Sequence, residues 1–151
     1  MIGRLKTFFE TAPPRPETGD EAALRLSAAA LLVEAAFMDG EMDEAEARTI
    51  ETLLQGRFEL SLPEARDLLA AGRQAIEETG ELYRFTRTLK DAFAHEDRVR
   101  MLEMLWQVVL ADGTVDHFES NLIRRVAGLL YVPDAESGAA RKRVEAHLAG
   151  A

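Results

Sequence analysis

The sequence of 151 residues lacks cysteine and contains only one tryptophan, two tyrosines and no long apolar run. The absence of cysteine excludes disulfides, thiolate zinc sites and catalysis by a thiol. No apolar stretch of about 18 residues and no signal-peptide pattern occurs. We therefore expect a soluble, cytoplasmic protein without stable membrane insertion.

Positive charge is also scarce, because 18 Lys and Arg residues stand against 27 Asp and Glu residues and give a formal net charge of −9. A net negative charge repels nucleic-acid phosphates and anionic membrane surfaces. We expect no nucleic-acid partner, and the composition favours cations and basic partners instead.

Catalytic signatures are missing too, since the sequence has no HExxH run, no phosphate-binding glycine loop and no Ser-His-Asp order. An enzyme is the least favoured class.

Helix-forming residues dominate the sequence, and prolines and glycines fall mainly between the helical patterns. With 47% hydrophobic residues, the chain is long enough to bury the core of one domain. No alternating, β-branched run predicts a strand. We predict an all-α domain at residues 20–151. Residues 1–19 are predicted to form an amphipathic amino-terminal arm followed by a proline-rich linker.

An acidic motif, Asp-Gly-x-x-Asp-x-x-Glu, occurs at residues 39–46 and again at residues 112–119, 73 residues later. The apolar helical patterns on both sides of the motif match at the same offset. This indicates an internal duplication. We predict a bundle of seven or eight helices, built from two helix–acidic turn–helix units that an approximate twofold axis relates. Four aligned apolar positions are predicted to be buried: Leu32, Ile50, Leu105 and Ile123.

Helix capping explains most of the motif. Gly40 suits the left-handed conformation just beyond a helix end. Asp43 is a good N-cap for the next helix, and Glu46 lies where a capping-box acid reaches back to the cap. The second copy repeats this pattern with Asp116 and Glu119. The acid before each glycine is not explained by capping, because the helix dipole disfavours a negative charge at a carboxyl end.

A bound cation would explain that acid. In the first motif the acidic residues have the spacing of the second half of an EF-hand loop, whereas the first half of such a loop is missing. A complete EF-hand is therefore excluded. Each turn offers two or three carboxylates, so a full oxygen site needs either both turns together or water ligands. Oxygen ligands suit Ca²⁺, Mg²⁺ or Mn²⁺ better than zinc.

The two motifs and their flanking helices, from about Ala22 to Tyr131, resemble the TerB-like family of tellurite-resistance proteins. That domain is also similar to the amino-terminal part of a membrane-anchored DnaJ-type co-chaperone, although no His-Pro-Asp signature of a J-domain occurs here. The resemblance implies an all-helical bundle, a role in metal or oxyanion stress, and a site for a divalent cation. The metal ligands that it implies are Asp39, Asp43, Glu46, Asp112, Asp116 and Glu119.

Two functions from different classes follow from these patterns. The first is a cation-binding module whose turns hold Ca²⁺, Mg²⁺ or Mn²⁺. The second is a non-catalytic helical module that recruits a protein partner, with the acids acting as caps and surface charge. The second describes the chain better as a whole, and cation binding is the favoured chemistry of its turns. Neither the partner nor the oligomeric state follows from the sequence.

Overall fold

The computed structural model describes residues 19–37, 40–111 and 115–150, and these residues form seven helices joined by short connections. This confirms the predicted all-α class. The predicted amino-terminal arm lies outside the described residues, and the twofold relation between the two units stays a prediction. In chain order the helices are α1 (Gly19–Ala36), α2 (Glu44–Phe58), α3 (Leu62–Thr79), α4 (Tyr83–Ala92), α5 (His95–Val109), α6 (His117–Leu129) and α7 (Asp134–Ala149).

Helix α3 shows how local sequence sets the helix ends. Ser61 is its N-cap and accepts a hydrogen bond from the backbone N–H of Glu64, while the Glu64 carboxylate accepts one from the N–H of Ser61. Pro63 lies in the first turn, where its missing N–H costs nothing. Gly80 ends the helix with φ of 64°, a conformation that glycine adopts without a steric penalty. Both ends of this helix are therefore set by residues at or beside them in the sequence.

Helix α1 is the centre of the bundle. Residues 28–33 are at most 1% exposed, and the helix packs against α2, α3, α4, α5 and α6. Its alanines make this possible, because small side chains let several neighbouring helices approach closely. The apolar spacing in the sequence predicts only one buried stripe, so the structure extends the prediction to every side of the helix.

The core beneath the two acidic turns uses the predicted residues. Leu32 and Leu105, on α1 and α5, are both 0% exposed, and so are Ile50 and Ile123 on α2 and α6. The predicted burial of these four aligned positions is therefore confirmed. None of the described helices is long and apolar enough to cross a membrane.

Candidate functional site

The first acidic turn connects α1 to α2. Its Gly40 has φ of +95°, so this glycine adopts the predicted left-handed conformation. The N–H of Gly40 donates to the carbonyl of Phe37 at 2.9 Å, which closes the turn after the helix. Asp39 of this turn, and Asp112 and Gly113 of the second turn, lie outside the described residues.

Both motifs form the predicted capping boxes. The Asp43 Oδ1 atom accepts a hydrogen bond from the Glu46 N–H at 2.7 Å, and Glu46 Oε1 accepts one from the Asp43 N–H at 3.0 Å. Asp116 and Glu119 make the same two bonds at the same two distances. Each box satisfies two backbone donors that the start of a helix leaves without partners. Capping thus accounts for these four acids without any ligand.

The two aspartate boxes differ from the serine box of α3 in burial. Glu46 is 4% exposed and Glu119 is 8% exposed, whereas Glu64 of the serine box is exposed. Asp43 and Asp116 themselves are exposed. In both acidic turns the second acid of the box is therefore part of the packed interior, and only the first acid faces solvent.

The described acids of the two turns do not come together as one metal centre. Across residues 19–37, 40–111 and 115–150, no group of three or more His, Asp or Glu side chains is placed to hold a metal ion. A site that joins Asp43 and Glu46 to Asp116 and Glu119 is therefore not formed by these four residues alone. A site in either turn that includes Asp39 or Asp112 stays a prediction.

A surface groove between α2 and α5 was not predicted from the sequence. It consists of two adjoining depressions of ≈ 400 Å³ and ≈ 300 Å³, which share Thr52, Leu53 and Gln107. The residues that line it from α2 recur every three or four positions and so form one face of that helix, and those from α5 do the same. The lining residues are Ala45, Arg48, Thr49, Thr52, Leu53, Gly56, Arg57, Arg100, Met104 and Gln107.

The groove has an apolar floor and a basic wall. Met104 is buried and Leu53 is half-buried, while three arginines and no acid are among the lining residues. Arginine prevails here although the whole chain carries a net charge of −9. The charged residues that line this groove are thus opposite in sign to the net charge of the chain, although two of the arginines are paired with acids outside the lining, Arg48 with Glu44 and Arg57 with Asp97.

The three arginines of the groove differ in how they are held. Arg57 pairs with Asp97 at 3.5 Å, and its guanidinium lies 5.0 Å from the centre of the Phe93 ring. Arg48 pairs with Glu44 at 3.7 Å, where both side chains are largely exposed and the pair stabilises the fold little. Arg100 is exposed and has no ion-pair partner among the described residues. Arg57 therefore supports the fold, whereas Arg48 and Arg100 are available to an incoming anionic group.

The fold places this protein among the all-helical bundles. After each of its two acidic turns, an aspartate capping box forms the start of the next helix. The family model described as "Tellurite resistance protein TerB" matches residues 25–142. The chain therefore belongs to the TerB family, as the resemblance of its two motifs implied. No curated protein matches the chain. No solved structure matches it either.

Proposed function

We propose that this TerB-family protein is a non-catalytic interaction module that holds an acidic, amphipathic helix of a partner protein in the groove between α2 and α5. The observation that carries the proposal is the basic wall of this groove in a chain of net charge −9. An apolar floor with a charged rim is the arrangement that binds an amphipathic helix, because the floor takes the apolar face and the rim selects the charge.

The size of the groove supports a helical occupant. On α2 its lining extends from Ala45 to Arg57, which is about 18 Å of helix at 1.5 Å per residue. That length matches about three turns of a partner helix. Met104 on the floor adds adaptability, because an unbranched thioether side chain fills irregular contacts well.

Two of the three histidines, His95 and His117, support a non-catalytic role. His95 contacts Glu136 on the surface through Nε2, at 2.5 Å from Oε1. His117 contacts Asn121 on the same helix at 3.1 Å, and both residues are exposed. Neither contact places the ring beside a nucleophilic side chain in a cavity, which is the geometry that general-base catalysis needs.

Site-specific photo-crosslinking in a cell extract tests the groove. A benzophenone amino acid replaces Gln107, which lines both depressions, and the control carries it at Arg87, an exposed residue of α4. We expect the Gln107 probe to capture a protein that the Arg87 probe does not. The Arg48→Gln, Arg100→Gln double variant should reduce that capture. Equal capture from both probe positions, or capture that ignores the two arginines, would show that the groove is not the binding surface.

We further propose that each acidic turn binds one divalent cation, Ca²⁺, Mg²⁺ or Mn²⁺, and that the protein acts in the metal or oxyanion stress response that its family's description suggests. Support comes from the capping boxes, because Asp43 and Asp116 use only Oδ1 in them and both side chains are exposed. Their Oδ2 atoms remain for a cation, together with Asp39 or Asp112 and water. Such oxygen ligands suit these ions.

Thermal unfolding separates cation binding from capping. In excess metal the Asp39→Asn, Asp112→Asn double variant should lose the stabilisation by both bound ions, about 2.7 kcal/mol for each ion when the metal is at 100 times its dissociation constant. Asp67→Asn, at an exposed position of α3, serves as the control. Asp43→Asn should weaken metal binding and keep the cap, since Asn caps about as well as Asp. If the wild type melts at the same temperature with metal and with chelator, and calorimetric titration gives no heat, the turns are caps only.

A further inference from the structure

A second concave site lies where α5, α6 and α7 meet, outside the groove and beside the second acidic turn, since its lining residue Ser120 directly follows Glu119. It has a volume of ≈ 230 Å³. Helix α7 contributes residues from its first two turns, and α5 contributes the only tryptophan of the chain. The residues of this cavity that carry its chemistry are Trp106, Ser120, Arg124, Asp134, Ser137 and Arg141.

Two arginines give the cavity its charge. Arg124 is exposed and has no ion-pair partner among the described residues. Arg141 lies over the ring of Trp106, with its guanidinium carbon 4.9 Å from the ring centre, and its Nε donates to Glu145 at 3.3 Å. Asp134 is the one acid of the lining, and it sits in the first turn of α7, where the helix dipole stabilises a negative charge. The other charged residues of the lining are the two arginines, which are positive.

Two polar groups of the wall lack partners. Ser137 is 6% exposed, and within residues 19–37, 40–111 and 115–150 its hydroxyl has no hydrogen bond, although its oxygen atom itself is not fully buried. Trp106 is also 6% exposed, and its indole Nε1 is a buried donor with no acceptor. A buried donor without an acceptor costs about 1–3 kcal/mol, and such groups are rare in folded proteins. Both residues therefore offer hydrogen bonds that the fold itself does not use.

The start of α7 adds a third source of donors. Pro133 is its N-cap, and no side chain caps the backbone N–H groups of the first turn, although the Glu136 N–H donates to the Pro133 carbonyl and two acids, Asp134 and Glu136, lie in the same turn. The positive end of this helix of 16 residues therefore borders the same cavity as the two arginines. All of these groups can donate hydrogen bonds to an oxyanion, namely the guanidinium groups, the hydroxyl, the indole N–H and the backbone amides.

We propose that this cavity binds a small oxyanion, such as inorganic phosphate or a phosphate group carried by a larger molecule. Arg124 and Arg141 supply the charge, and Ser137 donates a hydrogen bond from the wall. Arg141 rests on the indole ring and, among the described residues, forms its ion pair with Glu145, which is exposed. Binding of an oxyanion to Arg141 would therefore change the surroundings of the Trp106 ring.

The single tryptophan makes the test specific, because a ¹⁵N-labelled sample gives one indole N–H signal. Three samples are titrated at one ionic strength, with sodium phosphate, with phosphoserine and with sodium chloride. We expect a saturable shift of the indole signal with phosphate or with phosphoserine, and none with chloride. A response to inorganic phosphate identifies the free ion as sufficient, and a response to phosphoserine alone identifies a phosphate group on a larger molecule.

Matched variants locate the binding. Arg124→Gln and Arg141→Gln should each weaken binding at least about tenfold, because each removes one charge-assisted contact. Lys142→Gln removes the same charge from an exposed position of α7 outside the cavity and should change binding less than about twofold. A shift that chloride reproduces, or an equal loss in all three variants, would reduce the effect to ionic screening and overturn the proposal. The absence of any saturable shift would overturn it as well.

Discussion

Two helix pairs of this bundle meet at a glycine, and the two glycines have different surroundings. Gly72 of α3 lies against α1, where an added Cβ would come within 2.9 Å of the backbone carbonyl carbon of Ala29. Gly56 of α2 lies in the groove beside α5, where an added Cβ would meet nothing within 4 Å. The bundle is thus closed around Gly72 and open around Gly56.

The packing of the fold therefore requires a glycine at position 72 but not at position 56. Gly72 permits the close approach of α3 to the central helix, which offsets the cost of about 1 kcal/mol of glycine within a helix. Gly56 carries the same cost, and no contact with the described residues requires a glycine there. The partner helix proposed above would explain this glycine, since the absence of a side chain leaves room for that helix in the groove.

The largest loss of stability is expected in the core that both helix pairs share. Leu105 of α5 is 0% exposed, and replacing it with alanine leaves a cavity beside the central helix. We expect Leu105→Ala to lower the free energy of unfolding by about 2 to 5 kcal/mol. Chemical denaturation measures this change, with Leu62→Ala, at a partly exposed position of α3, as the control. A loss below about 0.5 kcal/mol would mean that this position does not support the core.

A smaller loss of stability is expected at Gly72, where α3 lies against α1. Gly72→Ala places a methyl group against the backbone of Ala29, so either α3 or α1 must shift. We expect a loss of about 1 to 3 kcal/mol, the usual cost of overpacking a core. Thermal and denaturant unfolding of the variant measure it. An unchanged or raised stability would show that α3 and α1 are not held at this distance.

The smallest effect on stability, and one of opposite sign, is expected at Gly56 in the groove. Gly56→Ala meets no neighbour and improves helix propensity, so the free energy of unfolding should rise by about 0.5 to 1 kcal/mol. Gly128→Ala, at an exposed glycine of α6 with equal space around it, should behave alike. A loss of stability at Gly56 but not at Gly128 would mean that the groove is closed by the chain itself.

Local features of the fold could be predicted from the sequence, because the residues that make them are close together in it. The capping boxes are set by acids three residues apart, and Gly40 adopts its left-handed conformation for steric reasons that apply just beyond the end of any helix. Family membership followed from the same two motifs. The burial of Glu46 and Glu119 was not predicted, since it depends on the helices that cover them.

The groove could not be predicted, because its walls come from residues more than 40 positions apart in the sequence. The internal repeat does not indicate it either, since Arg57 aligns with Leu130 and Arg100 aligns with Ser27 at the repeat offset. The net negative charge of the chain even predicted a basic partner. Charge summed over a sequence therefore gives no information on the sign of one surface.

The most direct test of the proposed function is the dissociation constant of the partner that the Gln107 probe captures. It is measured by calorimetry for the wild type, for Gly56→Leu and for Gly128→Leu. The leucine at position 56 fills the groove, whereas the one at position 128 makes the same helix-favouring change elsewhere. We predict that Gly56→Leu weakens binding at least about tenfold, or about 1.4 kcal/mol, without loss of stability, and that Gly128→Leu binds like the wild type. Equal affinity of all three proteins would contradict the account, because a filled groove could not then be the binding surface.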